Sequence, residues 1–182
     1  MDEKLPTIGL LTPARDEENN LPILYDSLAR ISGANIYWLI IENGSVDRTL
    51  DVANCFTSTA SLNISVTSYD DGGDYDVGRK LSLYLQRGLL KLNDSGVNFD
   101  YVGVADADVD LPPTYYTDLI NEFVRNPLLV LCSGVGLMNG VSDGEGDSHV
   151  RGNARLWSAE YIFSKGIPAA PSCDSVSKFQ AL

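Results

Sequence analysis

The sequence predicts an α/β layered fold built on a mainly parallel sheet. Short apolar runs alternate with amphipathic stretches almost throughout, the order expected of strands joined by crossover helices. The strand candidates are five or six residues rich in Ile, Leu, Val and aromatics, most of them closed by a polar or acidic turn. A length of 182 residues accommodates one domain, 1–182, with a proper core. No internal repeat or linker divides it.

Thr7 to Thr12 is the first expected strand, ended by Pro13. Leu21, Leu24, Leu28 and Ile31 then mark one helix face, with Asn20 as its expected N-cap, Pro22 in its first turn and Gly33 as its stop. Ile36 to Ile41 is the second strand, Asp47 to Phe56 a short helix and Ile64 to Ser68 the third strand. Val77, Leu81, Tyr84, Leu85, Gly88, Leu89 and Leu92 give a long amphipathic helix. Tyr101 to Ala105 is the fourth strand, and Pro112 starts a helix running to about Asn126. Leu128 to Ser133 is expected to be another strand, 139–148 a mobile loop, and Asn153 to Ser164 a helix ended by Gly166.

Bulk charge excludes one class of function. A net charge of −12 leaves no basic face for nucleic acid. It does not exclude an anionic substrate, because a bound cation inverts the local field. Cys55, Cys132 and Cys173 stand far apart in no metal or redox spacing, as expected of reduced thiols in a cytoplasmic chain. The amino terminus opens directly into a strand without a secretory pattern, and no apolar run approaches the length of a membrane span. With one histidine, His149, the chain has no multi-histidine metal centre.

The chemistry is expected where strands end. Asp106, Asp108 and Asp110 alternate straight after the fourth strand. In extended backbone Asp106 and Asp108 share a face. Two carboxylates so close call for a cation, and hard oxygen ligands favour Mg²⁺ or Mn²⁺ with substrate phosphate completing the shell. The other early strands end similarly: Arg15, Asp16 and Glu17 follow the first, Glu42 and Asn43 the second, Asp70 and Asp71 the third. In a parallel sheet all these ends lie on one edge, where open α/β sheets bind ligands.

Three segments in this order resemble glycosyltransferase family 2, inverting enzymes that use nucleotide sugars and have the three-layer α/β/α GT-A fold. Pro13-Ala14-Arg15-Asp16-Glu17-Glu18 is similar to the family's first-strand motif, and Ile41-Glu42-Asn43-Gly44-Ser45-Val46-Asp47-Arg48-Thr49 to its second. Asp106-Ala107-Asp108, with Pro112-Pro113 after it, resembles the family's DxD and following helix. The resemblance implies a UDP- or GDP-sugar donor and a Mg²⁺ or Mn²⁺ cofactor. Pro13 and Glu17 would shape the nucleotide pocket, with Arg15 in the same motif; Asn43 would meet the base, and Asp70 or Asp71 would lie beside it. Arg79 would reach a phosphate, Asp106 would face the ribose or metal, and Asp108 would bind the metal. The chain departs from the pattern at Asn43, where many members have aspartate, and at Arg15 and Asp16, which replace Tyr and Asn.

An inverting transfer also needs a base for the acceptor hydroxyl. The candidate is Asp174, in Pro171-Ser172-Cys173-Asp174-Ser175-Val176, a position that equally suits a helix N-cap. Arg151 and Arg155 are expected on one helix face, solvated rather than phosphate-binding, and Trp38, Trp157 and Tyr161 in the core. Two other readings compete. A sugar-phosphate nucleotidyltransferase would have a glycine-rich loop after the first strand, and Pro13 to Asn19 has no glycine. A nucleotide-binding but non-catalytic domain of the same fold is the other. A Ca²⁺ loop fails, because its glycine and glutamate positions hold Leu111 and Thr117. Ser175 to Leu182 begins a helix without an end, so the chain is expected to be a piece of a longer protein. The acceptor, and any peripheral contact with the inner face of a membrane, would then belong to the missing part.

Overall fold

A computed structural model describes residues 4–58, 61–69, 77–135, 137–138, 141–142, 150 and 152–168. Side chains at 77–79, 137–138 and 141–142 lie outside that description. The elements run β1 (Thr7–Ala14), α1 (Leu21–Ala29), β2 (Asn35–Glu42), α2 (Thr49–Phe56), β3 (Asn63–Ser68), α3 (Val77–Asn93) and β4 (Tyr101–Ala105). Then follow α4 (Tyr115–Arg125), β5 (Leu131–Cys132), β6 (Leu137–Met138), β7 (Val141–Ser142), β8 (Ala154–Ser158) and α5 (Ala159–Lys165).

Six strands form one sheet in the order β3-β2-β1-β4-β8-β5, and β6 pairs with β7 apart from it. The pairs β1–β2, β1–β4 and β2–β3 are parallel, whereas β8 runs antiparallel to both β4 and β5. The carboxyl ends of β1 to β4 therefore share one edge, as expected. Chain order reverses between β1 and β4, the switch point at which such sheets open a crevice.

Strand alternation splits the core into two layers. Ile8, Leu10, Ile36, Trp38 and Ile40 pack with α1, α2 and α4 on one face. Leu11, Leu39, Ile41, Val102 and Val104 pack with α3 and α5 on the other. Trp38 is fully buried and its indole N–H donates to Thr12 Oγ1 at 2.8 Å. Gly88 lets α3 lie close to the sheet: a Cβ there would stand 2.5 Å from Ile41 Cδ1 and 3.1 Å from Leu11 Cδ2.

Several elements differ from expectation. β1 continues through Pro13 to Ala14, paired with β2 alone, since its ladder to β4 stops at Leu11. Asn20 makes no side-chain cap; its Nδ2 donates to Glu17 Oε2 at 2.6 Å. Asp47 precedes α2 instead of opening it, accepting from Thr49 N at 2.9 Å. The helix after Pro112 starts at Tyr115, behind a turn in which Tyr115 N reaches Pro112 O. The strand expected from Leu128 narrows to Leu131–Cys132, with Leu128 left 89% exposed in a turn closed by Leu129 N to Asn126 O.

The largest correction concerns Asn153 to Ser164. Its first half is strand β8, and only Ala159–Lys165 is helical. Residues 154–157 are all buried, and two flanking strands supply the backbone partners that such burial demands. Arg155 is accordingly a strand residue, 2% exposed, with its guanidinium 4.8 Å from the centre of the buried Trp157 ring. The expected solvated helix end therefore does not hold for Arg155, and Arg151 lies outside the described residues.

Candidate functional site

The carboxyl edge of the sheet gathers most of the expected residues. Ala14 is level with Glu42 and Glu42 with Ser68, so the ends of β1, β2 and β3 stand side by side. Leu11 pairs with Val104, so Asp106 leaves β4 two residues beyond the last pair, on the opposite side of β1 from Asn43.

The loops after β1 and β2 are laced together. Asp16 N donates to Ser45 Oγ at 3.1 Å, and Val46 N to Asp16 Oδ1 at 2.8 Å. Glu17 N donates to Thr49 Oγ1 at 2.7 Å, Glu18 N to Asp47 Oδ2 at 3.1 Å, and Arg48 N to Glu18 Oε2 at 3.0 Å. Asp16 adopts φ 57°, a left-handed conformation that costs a non-glycine residue energy. Its two hydrogen bonds to the second loop hold it there. Burial raises the Asp47 pKa, but the hydrogen bonds from the Thr49 side chain and from backbone amides outweigh it and hold the carboxyl below the usual aspartate range.

Glu42 and Asn43 differ in kind. Glu42 is 3% exposed and accepts from Ser45 N at 2.6 Å and from Ser68 Oγ, while its carbonyl accepts from Tyr69 N at 2.9 Å. Both its oxygens thus tie the turn after β2 to the end of β3. Asn43 is equally buried, and its N–H donates to Ala14 O at 3.1 Å. Its Oδ1, however, has no hydrogen-bond partner among the described residues. A buried acceptor without a partner is uncommon and calls for an explanation.

The DxD segment is a turn, not extended backbone. β4 stops at Ala105, Ala107 is buried, Asp106 is half-buried and Asp108 exposed. The shared-face argument for Asp106 and Asp108 therefore fails, although both remain beside the strand end. Asp106 N donates to Asn153 O at 2.8 Å, which pins the turn to the start of β8. Tyr115 reinforces the same corner: its hydroxyl donates to Ala154 O at 3.0 Å and accepts from Gly134 N at 3.0 Å. Asp110 leaves this group, its carboxylate lying 3.2 Å from Arg30, just past the C-terminal end of α1.

The donor set fits a divalent ion completed by substrate. Asp106 and Asp108 offer hard oxygens two residues apart, and no cluster of three metal-ligating side chains occurs among the described residues. Mg²⁺-type sites of one or two carboxylates plus substrate phosphates have this composition. Among the other expected residues, Pro13 is half-buried in β1, Glu17 is half-buried and engaged by Asn20, and Arg15 lies 3.8 Å from Asp16. Asp70, Asp71, His149, Cys173, Asp174 and the Arg79 side chain lie outside the described residues, as does most of 139–148. The sequence reading missed the organising roles of Glu42, Asp47 and Tyr115. An Asp-x-Thr before an amphipathic run was the available signal for Asp47; the other two depend on non-local partners.

The fold is that of GT-A nucleotide-sugar transferases. A mannosyltransferase of Pyrobaculum calidifontis, solved with GDP-Man and Mn²⁺, superposes with a TM-score of 0.75 at 14% identity, covering 96% of this chain and 51% of that one. TarS 1–349 of S. aureus, solved with UDP-GlcNAc, gives 0.69 at 14% identity over 96% of this chain and 53% of that one. In sequence, a PGL/p-HBAD biosynthesis glycosyltransferase of Mycobacterium bovis is 30% identical over 71 residues, 39% of this chain and 28% of that protein. A 4,4'-diaponeurosporenoate glycosyltransferase of Staphylococcus haemolyticus is 28% identical over 109 residues, 60% of this chain and 26% of that protein. No family model matches the sequence. The chain thus resembles family 2 glycosyltransferases while spanning about half the length of the structures it matches. Among the described residues no helix is long and apolar enough to cross a membrane.

Proposed function

We propose that the chain is the donor-binding domain of a glycosyltransferase that moves a sugar from a nucleoside diphosphate to an acceptor hydroxyl, inverting the anomeric carbon. One observation carries the reading: the unpaired Asn43 Oδ1, buried at the carboxyl edge two strands from Asp106. A base N–H would satisfy that oxygen, and both uracil and guanine offer one. The diphosphate then runs across the end of β1 toward Asp106 and Asp108. Glu17, Pro13 and Arg15 line the intervening loop; Asp71 and the Arg79 side chain, which the family resemblance assigns to the same pocket, lie outside the described residues. The likeness to proteins solved with GDP-Man, UDP-GlcNAc and Mn²⁺ supports this donor class.

Bound Mg²⁺ or Mn²⁺ would supply electrostatic stabilisation of the charge that develops on the departing diphosphate. Asp108, which is exposed, and Asp106 would hold it. In the transfer step the acceptor oxygen bonds to the anomeric carbon as the carbon–phosphate oxygen bond breaks. That electron pair leaves on the diphosphate, and Asp174 takes the acceptor proton. The laced loops keep the donor pocket fixed through this exchange, which is where positioning energy is gained.

Calorimetry with UDP and GDP, each with Mn²⁺ or Mg²⁺, followed by donor hydrolysis, tests the reading. Metal-dependent binding of one nucleotide is expected, and Asp174→Asn is expected to lower turnover at least 100-fold with nucleotide affinity within twofold. Absence of metal-dependent nucleotide binding would overturn the transferase. Binding without turnover in the native chain would leave a nucleotide-holding domain that does no chemistry.

A further inference from the structure

We infer that the Asn43 carboxamide reads the donor's base in either hydrogen-bonding sense, so that the pocket accepts keto and amino bases of one ring size alike: uridine with cytidine, or guanosine with adenosine. The inference rests on Asn43 meeting the base in the proposed transfer. A carboxamide carries an acceptor and a donor side by side. Uracil at N3 and guanine at N1 each offer an N–H beside a carbonyl oxygen. Cytosine and adenine reverse the pattern, with a ring nitrogen that accepts beside an amino group that donates. One orientation of Asn43 matches the first pair of bases, and a half-turn about its χ2 matches the second.

Whether that half-turn is open depends on what else holds the side chain. Asn43 is 3% exposed, and its bond to Ala14 O at 3.1 Å comes from the backbone N–H. Oδ1 has no partner, and Nδ2 donates to no group among the described residues. The polar groups beside it in sequence and across the strand ends are committed elsewhere. Glu42 accepts from Ser45 N at 2.6 Å through Oε1 and from the Ser68 hydroxyl through Oε2. The Ser45 hydroxyl accepts from Asp16 N at 3.1 Å. Tyr69, brought alongside by the bond from its N–H to Glu42 O at 2.9 Å, has its ring stacked on Tyr84 with centres 6.0 Å apart. Ala14 and Gly44 add no polar side chain.

Neither orientation therefore breaks a hydrogen bond among the described residues, and the χ2 torsion of asparagine is broad and roughly two-fold. A carboxamide held by one more protein donor or acceptor would match a single base pattern. The other pattern would then meet it with like groups facing, a buried mismatch that weakens binding by roughly five- to 150-fold. An aspartate at this position would have the same bias, because an ionised carboxylate only accepts. The unheld Asn43 escapes the mismatch for both patterns. Ring size is a separate matter, set by the walls of the pocket and not by the base edge that Asn43 meets.

Calorimetry with saturating Mn²⁺ at pH 8 compares UDP with CDP, and GDP with ADP, on the native chain. For each keto nucleotide that binds, its amino counterpart should bind within tenfold. N3-methyl-UDP or N1-methyl-GDP, which keeps the ring size and loses the pattern, should bind at least tenfold more weakly than its parent. Asn43→Asp should widen the keto-over-amino ratio at least tenfold; if that variant does not fold, the native-chain ratios decide alone. An amino nucleotide more than tenfold weaker than its keto counterpart overturns the inference and leaves the transferase reading in place. A methylated nucleotide that binds within tenfold of its parent also overturns it, because the base edge is then not read at all. So does a folded Asn43→Asp chain whose ratio widens by less than tenfold. If no nucleotide binds the native chain in a metal-dependent way, the transferase reading has failed and this inference falls with it.

Discussion

Replacing Asn43 by leucine separates a ligand-binding residue from a structural one, because the two roles predict opposite signs. Its side-chain Oδ1 is buried without a partner, and a buried polar group in that state costs about 1–3 kcal/mol. Asn43→Leu has nearly the same shape, keeps the backbone bond from Asn43 N to Ala14 O, and removes the unsatisfied acceptor. The protein without nucleotide should therefore be stabilised, by about 1 kcal/mol once imperfect packing is allowed for. The same change leaves a donor of the nucleotide base unpaired in the complex, at a cost of about 1–3 kcal/mol, or roughly five- to 150-fold in Kd. Urea unfolding gives the first quantity and calorimetry with the metal–nucleotide complex the second. A variant that is less stable and binds nucleotide as well as the native chain would refute the reasoning.

Three further outcomes test separate parts of the account. Asp108→Asn should abolish the Mn²⁺ dependence of nucleotide binding and leave the weaker metal-free binding within threefold, measured by titrating nucleotide with and without the ion. Gly88→Ala forces a Cβ to within 2.5 Å of Ile41 Cδ1, and overpacking of this kind should cost about 1–3 kcal/mol in urea unfolding. The Asp47 carboxyl is held below its usual range in the folded state, so its contribution is complete above the ordinary aspartate pKa and is lost as pH falls through the lower folded value. The protection factors of the Glu18 and Thr49 amides, both of which donate to Asp47, should fall in that acid window and stay constant above it.

The sheet was legible where local patterning decides structure. Apolar runs such as Ile36 to Ile41 carry enough β-branched and large side chains to mark a buried strand, and the periodicity from Val77 to Leu92 marks a helix. The segment from Asn153 misled because a short apolar run fits a buried strand and a buried helix alike. Its state depends on the two strands that receive it, β4 and β5, and these lie far away in sequence.

The same division runs through the site. The succession of strands along the chain, the polar endings of β1 to β4 and the presence of Asp106 and Asp108 beyond an apolar run follow from the residues alone, because each is set within a few positions of chain. Tertiary structure decided which acids remain at the edge and which are used elsewhere. Glu42 is consumed in holding two turns together, Asp110 is drawn to Arg30, and Asp16 is kept left-handed by Ser45 and Val46. Only the folded chain leaves the Asn43 carboxamide oxygen buried and unpaired. A carboxylate's availability depends on the donors that long-range packing brings to it, and those donors are invisible to any local window of sequence.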